Sequence, residues 1–325
     1  MCQSGSGEAI RSAMTNRYKD AGAHSAEHFG DTRDHWWNLD FLKLMAKRWS
    51  FDRVRDVLDV GCGVGHWSTL LASVMREETH FTGIDRERLW IEQARVRAEA
   101  RGLSARFEYV HASAERLPFP DDRFDLTTCQ TVLIHVADPV AVIREMLRVT
   151  RSGGLIVVAE PNNLTTSVLL DSISNLASVA AVTELVRFQL TCERGKVALG
   201  EGDNSLGDRV PGLFAALGLE RIEVYVNDKA MAMFPPYLAD SQALEAEEMR
   251  DRTARGLWNW DRAQTQRFYE AGGGLESEFS ELFERALASR QKLVRGLEVG
   301  TYHGILGGAF YLVGGQKSAS ARGDE

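Results

Sequence analysis

Short apolar runs alternate with longer amphipathic stretches between residues 54 and 160. Five of these runs contain many β-branched or aromatic residues and predict strands, namely VLDV, HFTGI, RFEYV, FDLTTCQ and LIVVAE. The stretches between them have apolar residues at helical spacing. This alternation is typical of an α/β domain that is built on a parallel sheet.

Residues that favour helix ends support this order of elements. Gly102 follows the stretch EQARVRAEAR and is suited to a helix C-terminus. Asp138 is suited to the N-cap, and Pro139 to the first position, of the helix PVAVIREMLRVT. We expect Gly153 and Gly154 to close that helix.

The same core continues later in the chain. The stretch SLGDRVPGLFAALG predicts a helix that ends at Gly218, ERIEVYV predicts a sixth strand, and GGAFYLVGG predicts a seventh. We therefore predict an α/β fold with a seven-stranded, mostly parallel, doubly wound sheet. The predicted division is a helical N-terminal cap (1–52), a ligand-binding core (53–160), an insertion after the fifth strand (161–204), a core helix and sixth strand (205–228), a helical substrate lid (229–306), and the last strand and tail (307–325).

The two predicted insertions are too long to be simple connections. The second is rich in Glu, Ala, Leu, Arg and Gln at helical spacing. If the sixth strand is parallel to the first five and the seventh returns beside it, both insertions leave from the carboxyl edge of the sheet. Open α/β sheets bind their ligands at that edge, so we expect the functional site there.

Composition narrows the possible partners. The formal net charge of -8 disfavours a nucleic-acid partner, because phosphate binding needs clustered Lys and Arg. No apolar run reaches the ~20 residues that a membrane-spanning helix needs, and the first residues lack the apolar stretch of a signal peptide. We expect neither membrane insertion nor secretion.

The cysteines are few and far apart. They match neither a zinc motif nor a disulfide scaffold, and lie at Cys2, Cys62, Cys129 and Cys192. His24 and His28 have helical spacing, yet no companion ligands can be named, so we expect no metal site. We interpret the cysteines as reduced thiols and expect a cytoplasmic protein. The sequence does not define the oligomeric state, and a homodimer is one possibility.

A glycine-rich loop follows the first predicted strand in VLDVGCGVGHW. Glycines at such a loop allow backbone N–H groups to approach a ligand at the start of the next helix. The dinucleotide fingerprint G-x-G-x-x-G would need glycine at His66 or Ser68, so NAD binding is disfavoured.

The loop instead resembles the first motif of class I methyltransferases that use S-adenosylmethionine (SAM), an acidic residue followed by G-x-G-x-G. The resemblance is strong from residue 56 to 160 and weaker after residue 205. It implies a Rossmann-like fold, with SAM as methyl donor and S-adenosylhomocysteine as product. The implied SAM-binding residues are Asp59, Gly61, Cys62, Gly63, Gly65, Asp85, Arg86, Ser113, Ala114, Glu115 and Gln130.

Asp85 ends the second strand where the family has its ribose-binding acid, although a helix N-cap is the alternative role. The stretch ASAERLPFPDDRFD is similar to the family's adenine-contacting segment G-D-A-x-x-L-P-F-x-x-x-x-F-D. Ser113 replaces the usual aspartate, so Glu115 or backbone near Ala114 could make the adenine contact instead. Gln130 matches a position that faces the methionine half of SAM, or it is a structural polar residue.

The residues that contact the acceptor are less evident. His135, His303 and Glu160 are the candidate catalytic residues, of which His135 could instead be structural and Glu160 could hold the backbone of the following insertion. Tyr18, Trp37 and Tyr302 are candidates for acceptor binding, and core packing is the alternative for Trp37.

SAM carries an activated methyl group, so a methyltransferase mainly aligns the acceptor, excludes water and removes a proton where needed. Our leading hypothesis is N- or O-methylation of a small molecule, in metabolism or natural-product biosynthesis. Alternatives are C-methylation, a catalytically silent SAM-binding scaffold, and a nicotinamide oxidoreductase.

Overall fold

A seven-stranded sheet forms the centre of this computed structural model, which describes residues 31–319. The described strands, β1 to β9 in chain order, are Asp56–Val60, His80–Asp85, Phe107–His111, Phe124–Gln130, Thr150–Asn162, Glu220–Val226, Met231–Met233, Gly304–Leu306 and Ala309–Gln316. The central sheet has the order β3-β2-β1-β4-β5-β9-β6.

Strands β1 to β5 pair in parallel, whereas β9 is antiparallel to both β5 and β6. Strand β6 is therefore parallel to the first five. The seven-stranded, mostly parallel α/β sheet predicted from the sequence is confirmed.

Helices cover both faces of the sheet and form the insertions. The α-helices of the described residues, α1 to α9, are Leu39–Arg48, His66–Ala72, Arg88–Ala100, Pro139–Val149, Val179–Ala198, Val210–Ala216, Asp240–Ala254, Arg262–Ala271 and Glu276–Glu298. Short 3-10 helices occur at Asp31–His35, Phe51–Arg53, Leu133–His135, Asn163–Val168, Ser174–Leu176 and Gly207–Arg209. None of the helices in the described range is long and apolar enough to cross a bilayer.

Local chemistry explains where α4 begins and ends. The Asp138 carboxylate accepts the Ala141 N–H at 3.0 Å, and Pro139 occupies the first turn, as the sequence predicts. The helix ends at Val149 and not at the glycine pair, because Thr150 already pairs with Phe124 in the sheet. Its hydroxyl also lies 2.8 Å from the Thr127 hydroxyl on β4.

Alternate residues of the strands face two apolar layers. On one face, Leu58 and Ile156 pack with Met146 of α4 and Phe214 of α6. On the other face, Val57 and Val157 of the strands pack with Met45 of α1 and with Trp67 and Leu71 of α2. The period-2 pattern of a sheet with two buried faces therefore sets the core.

The two insertions share an apolar cluster of their own. Phe188 of α5 stacks on Trp258 at 4.8 Å between ring centroids and packs near Tyr269 of α8. A Cβ on Gly195 would lie 1.7 Å from the Phe268 carbonyl oxygen, so glycine allows α5 and α8 to approach closely. The two-stranded sheet of β7 and β8 was not predicted, because each strand has only three residues.

Candidate active site

A cavity opens at the carboxyl ends of the first four strands. Its walls include residues from the loops after β1, β2, β3 and β4, and Arg33 from the segment before α1. Eight predicted site residues are brought together there, namely Gly61, Asp85, Arg86, Ser113, Ala114, Glu115, Gln130 and His135.

The glycine loop has a backbone that side chains would disturb. Gly61, Gly63 and Gly65 have φ angles of +65°, +53° and +80°, which L-residues rarely adopt. A Cβ on Gly61 would lie 2.5 Å from Val132 Cγ2, and a Cβ on Gly65 would lie 2.8 Å from the Tyr109 hydroxyl. The loop can therefore be compact only with glycine at these positions.

Asp85 connects the glycine loop to the end of β2. Its carboxylate accepts the N–H groups of Gly63 and Glu87, both at 2.9 Å. Burial raises the pKa of Asp85, and these two hydrogen bonds oppose the rise. Helix α3 has Glu87 as its N-cap, so Asp85 is not the cap itself. Each carboxylate oxygen can accept more than one hydrogen bond, so Asp85 can also accept one from a ligand hydroxyl.

The wall after β3 is short and polar. Ser113 and Glu115 are exposed, and the Ser113 hydroxyl donates to the Glu115 carboxylate at 3.2 Å. The Glu115 N–H in turn donates to the Ser113 hydroxyl at 3.3 Å. Ala114 lies between them on the same wall.

Gln130 at the end of β4 is held by a tryptophan. The Trp37 indole N–H donates to the Gln130 side-chain oxygen at 3.2 Å, and both side chains are buried. Trp37 also packs on Trp67 and Phe310, with centroid distances of 5.2 and 5.4 Å. The predicted contact of Trp37 with the acceptor is thus corrected, because the indole is buried in the core behind Gln130.

Asp34, which no sequence pattern singled out, fastens the segment before α1 to the core. Its carboxylate accepts hydrogen bonds from Arg97 at 2.7 Å and Arg101 at 3.1 Å, and lies 2.7 Å from His66 Nδ1. Burial acts to raise the pKa of Asp34, but His66 and the two arginines outweigh it and hold that pKa well below its usual range. Partners more than 30 residues away cannot be read from one sequence.

Arg33 was also missed, and it brings a positive charge to the cavity wall. Its guanidinium lies 4.9 Å from the centroid of the Trp36 ring. Burial lowers the pKa of Arg33 to about 10, while the charges of Glu248 and Glu160 oppose that change. The neighbouring Thr32 hydroxyl donates to Glu248 of α7 at 3.2 Å, which connects this segment to the second insertion.

Glu160 lies behind the cavity wall. One carboxylate oxygen accepts the N–H groups of Val132 and Leu133, both at 2.7 Å. The side chain is buried, and burial raises the pKa of Glu160 to about 8. Glu160 therefore holds the backbone of the turn after β4, and not that of the following insertion.

Other predicted residues lie away from the cavity wall. The side chains of Asp59 and Cys62 are buried, and burial raises the pKa of Asp59 to about 7. Tyr18 lies outside the described residues. Between residues 31 and 319, no group of three or more His, Cys, Asp and Glu side chains is arranged to hold a metal ion.

Tyr302 and His303, predicted as site residues, do not line the cavity. Strand β8 intervenes before the last strand and pairs with β7, so neither residue returns directly to the sheet edge. Tyr302 is buried against Met233 and Leu297. His303 is exposed, and its N–H donates to the Ser172 hydroxyl at 3.0 Å.

Comparison with known proteins agrees with this architecture. Residues 52–205 match the model of a methyltransferase domain family. The chain is 36% identical over 118 residues to a demethylmenaquinone methyltransferase of Listeria welshimeri, which covers 36% of this chain and 48% of that protein. The corresponding protein of Geobacillus stearothermophilus is 33% identical over 128 residues, covering 39% and 54%.

The chain thus spans about half the length of the curated relatives that it matches. A structure from Bacillus halodurans, named as a methyltransferase, is 18% identical and covers 86% of this chain and 99% of that chain, with a TM-score of 0.50. This likeness shows the fold. With the family match, residues 52–205 form a methyltransferase domain with a Rossmann-like fold.

Replacing Glu160 with glutamine should change the pH dependence of stability. Burial raises the pKa of Glu160 from 4.5 to about 8 in the folded state, so folding takes up a proton between these two pH values. The free energy of unfolding therefore falls as pH rises from about 4.5 to 8. Glutamine can still accept the two N–H bonds. We expect the Tm of Glu160→Gln to exceed that of the wild type by about 3 °C or more at pH 8, and to match it near pH 5.

Thermal unfolding at pH 5, 6.5 and 8 measures this difference. Glu108→Gln, at an exposed position of β3, is the control. A Tm difference that is the same at all three pH values would contradict the role of the buried carboxylate.

Replacing Asp34 with asparagine should loosen the segment that carries Arg33 and Trp37. The variant keeps the shape but loses the charge that faces two arginines, so we expect a loss of about 1 kcal/mol or more in the free energy of unfolding. Urea unfolding at pH 7 measures it. Asp40→Asn, whose side chain is 96% exposed, should stay within about 0.5 kcal/mol of the wild type. Equal losses in the two variants would refute the anchoring role.

Proposed function

We propose that this protein transfers a methyl group from SAM to a nitrogen or oxygen atom of a small-molecule acceptor. The observation that carries the proposal is the meeting of the glycine loop, Asp85 and Gln130 on one cavity wall. When bound, SAM supplies a methyl group that its sulfonium already activates.

The residues present fit such a ligand. Asp85 offers carboxylate oxygens to the two ribose hydroxyls, and the compact loop at Gly61 leaves room beside it. The short wall from Ser113 to Glu115 offers a hydroxyl, a carboxylate and backbone groups to the adenine. Gln130 is fixed by Trp37, and we assign it to the methionine half.

His135 is the residue we assign to proton removal from the acceptor. It lines the same cavity as Gln130, and histidine is the most common general base in enzymes. Glu160 is engaged with backbone N–H groups, and His303 is exposed beside Ser172, so neither is suited to this role. Methyl transfer then needs alignment, exclusion of water and one proton acceptor.

The acceptor is expected to be selected by the insertions. The second insertion lies outside the region matched by the family model, and segment 31–35 connects to its helix α7 through Thr32 and Glu248. Methylation of a carbon atom is the second candidate, since the curated relatives are named for demethylmenaquinone. A silent SAM-binding scaffold would bind the donor and yield no methylated product.

We also propose a cytoplasmic location. The three cysteines within residues 31–319 are buried and free, at Cys62, Cys129 and Cys192. Reduced cysteines are the common state in that compartment.

Profiling of metabolite extracts with SAM tests the reaction. We expect a product heavier by one methylene with the wild type, and at least a hundredfold slower formation with His135→Ala if the imidazole removes a proton. Wild-type protein that binds SAM and yields no product from any extract would support the silent scaffold instead.

Replacing Asp85 with alanine should weaken the binding of SAM and of S-adenosylhomocysteine by a similar factor, because the two ligands share the ribose. Hydrogen bonds to a charged group contribute about 1.5 to 3 kcal/mol, so we expect a tenfold loss or more. Calorimetry measures both affinities, with the exposed Asp52→Ala as control. A folded Asp85→Ala variant with unchanged affinities would remove the ribose assignment.

A further inference from the structure

The turn from Val132 to His135 forms part of the cavity wall, yet it has little stability of its own. It contains one three-residue 3-10 helix, Leu133–His135, closed by a bond from the His135 N–H to the Val132 carbonyl at 2.9 Å. Such a short helix leaves most of its backbone groups without helical partners. Its position must be set by groups outside it.

Glu160 binds one end of this turn. The buried carboxylate accepts the first two N–H groups, Val132 and Leu133, as described above. The carbonyl groups of the turn need donors of their own.

Lys196 supplies that donor. Its ammonium group donates to the Ile134 carbonyl at 3.1 Å, although Lys196 lies on α5 in the first insertion, 62 residues further along the chain. The Lys196 residue is only 2% exposed. It also donates to the Asn204 side-chain oxygen. The loop before Asn204 packs against the same carbonyl, since a Cβ on Gly202 would lie 2.3 Å from the Ile134 oxygen.

Burial of the Lys196 ammonium group is energetically unfavourable. Its transfer from water costs several kcal/mol, and an apolar side chain of similar size would pack without that cost. Glu193 lies one helical turn earlier and is 3% exposed. Its carboxylate interacts electrostatically with the Lys196 ammonium group. What the lysine offers beyond packing is a directed, charge-assisted hydrogen bond to one carbonyl.

We propose that Lys196 is a positioning residue of the active site, which fixes the Ile134 carbonyl and so sets the place of Val132 and His135 on the cavity wall. The functional role of Lys196 in this proposal rests on the proposed methyl-transfer function. The insertion, in this arrangement, shapes the donor cavity as well as the acceptor region.

The test uses the full chain and two readouts. Lys196→Met removes the donor but keeps the length of the side chain. In ligand-free protein labelled with 13C at histidine Cε1, we expect the His135 signal, assigned by its loss in His135→Gln, to shift or broaden. We expect calorimetry to show S-adenosylhomocysteine binding about five- to tenfold more weakly. Arg194→Met, at an exposed position on the same helix, should change neither readout.

A second pair of variants separates the bond from the buried charge. Glu193→Gln keeps the bond from Lys196 to Ile134 and should leave the His135 signal and the affinity as in the wild type. Glu193→Gln with Lys196→Met removes both charges, and should reproduce the effects of Lys196→Met on His135 and on affinity without an unpaired carboxylate.

An unchanged His135 signal and affinity in both Lys196→Met variants would overturn the proposal. Failure of both to fold would overturn it too, since Lys196 would then serve the fold as a whole. Wild-type protein that does not bind S-adenosylhomocysteine would refute the proposed function, whereas the His135 signal of ligand-free protein would still report on the turn.

Discussion

The close approach of two loops at the carboxyl edge of the sheet is the constraint on which the site depends. The loop after β1 passes so near the turn after β4 that a Cβ on Gly61 would overlap Val132. Each loop is then tied from behind by a carboxylate, Asp85 on the Gly63 N–H and Glu160 on the Val132 N–H. The cavity exists because two backbone segments without regular structure are held at contact distance.

Partly buried charges have the same task elsewhere around the cavity. Asp34 binds His66, Arg97 of α3 and Arg101 at the C-cap of that helix. It thereby fastens the segment that brings Arg33 to the cavity and Trp37 to Gln130. Charged groups are costly in the interior, but a charge-assisted hydrogen bond fixes direction as well as distance. In this protein such bonds are made to loops and short turns, which apolar packing alone would leave poorly defined.

The two insertions are joined to each other as well as to the core. Phe188 of α5 packs with aromatic side chains that follow β7 in the chain, and the glycine contact at Gly195 brings α5 against α8. One end of this helical layer reaches the N-terminal segment through Glu248. A change in the insertions can therefore reach both ends of the donor cavity through a few named contacts.

The sequence by itself determined the sheet, the glycine loop and eight of the residues that line the cavity. Those features depend on short-range patterns: period-2 burial in strands, glycines at left-handed positions, and an acid at the end of β2. Asp85 and Gln130 could be placed because each ends a recognisable strand. Tertiary structure alone decided the roles of Asp34, Arg33, Glu160 and Lys196, and it moved Tyr302 and His303 away from the cavity by means of β8. The physical reason is that a hydrogen bond between residues 28 to 63 positions apart leaves no periodic trace in the chain, and one charged residue in a sequence looks the same whether it is solvated or buried.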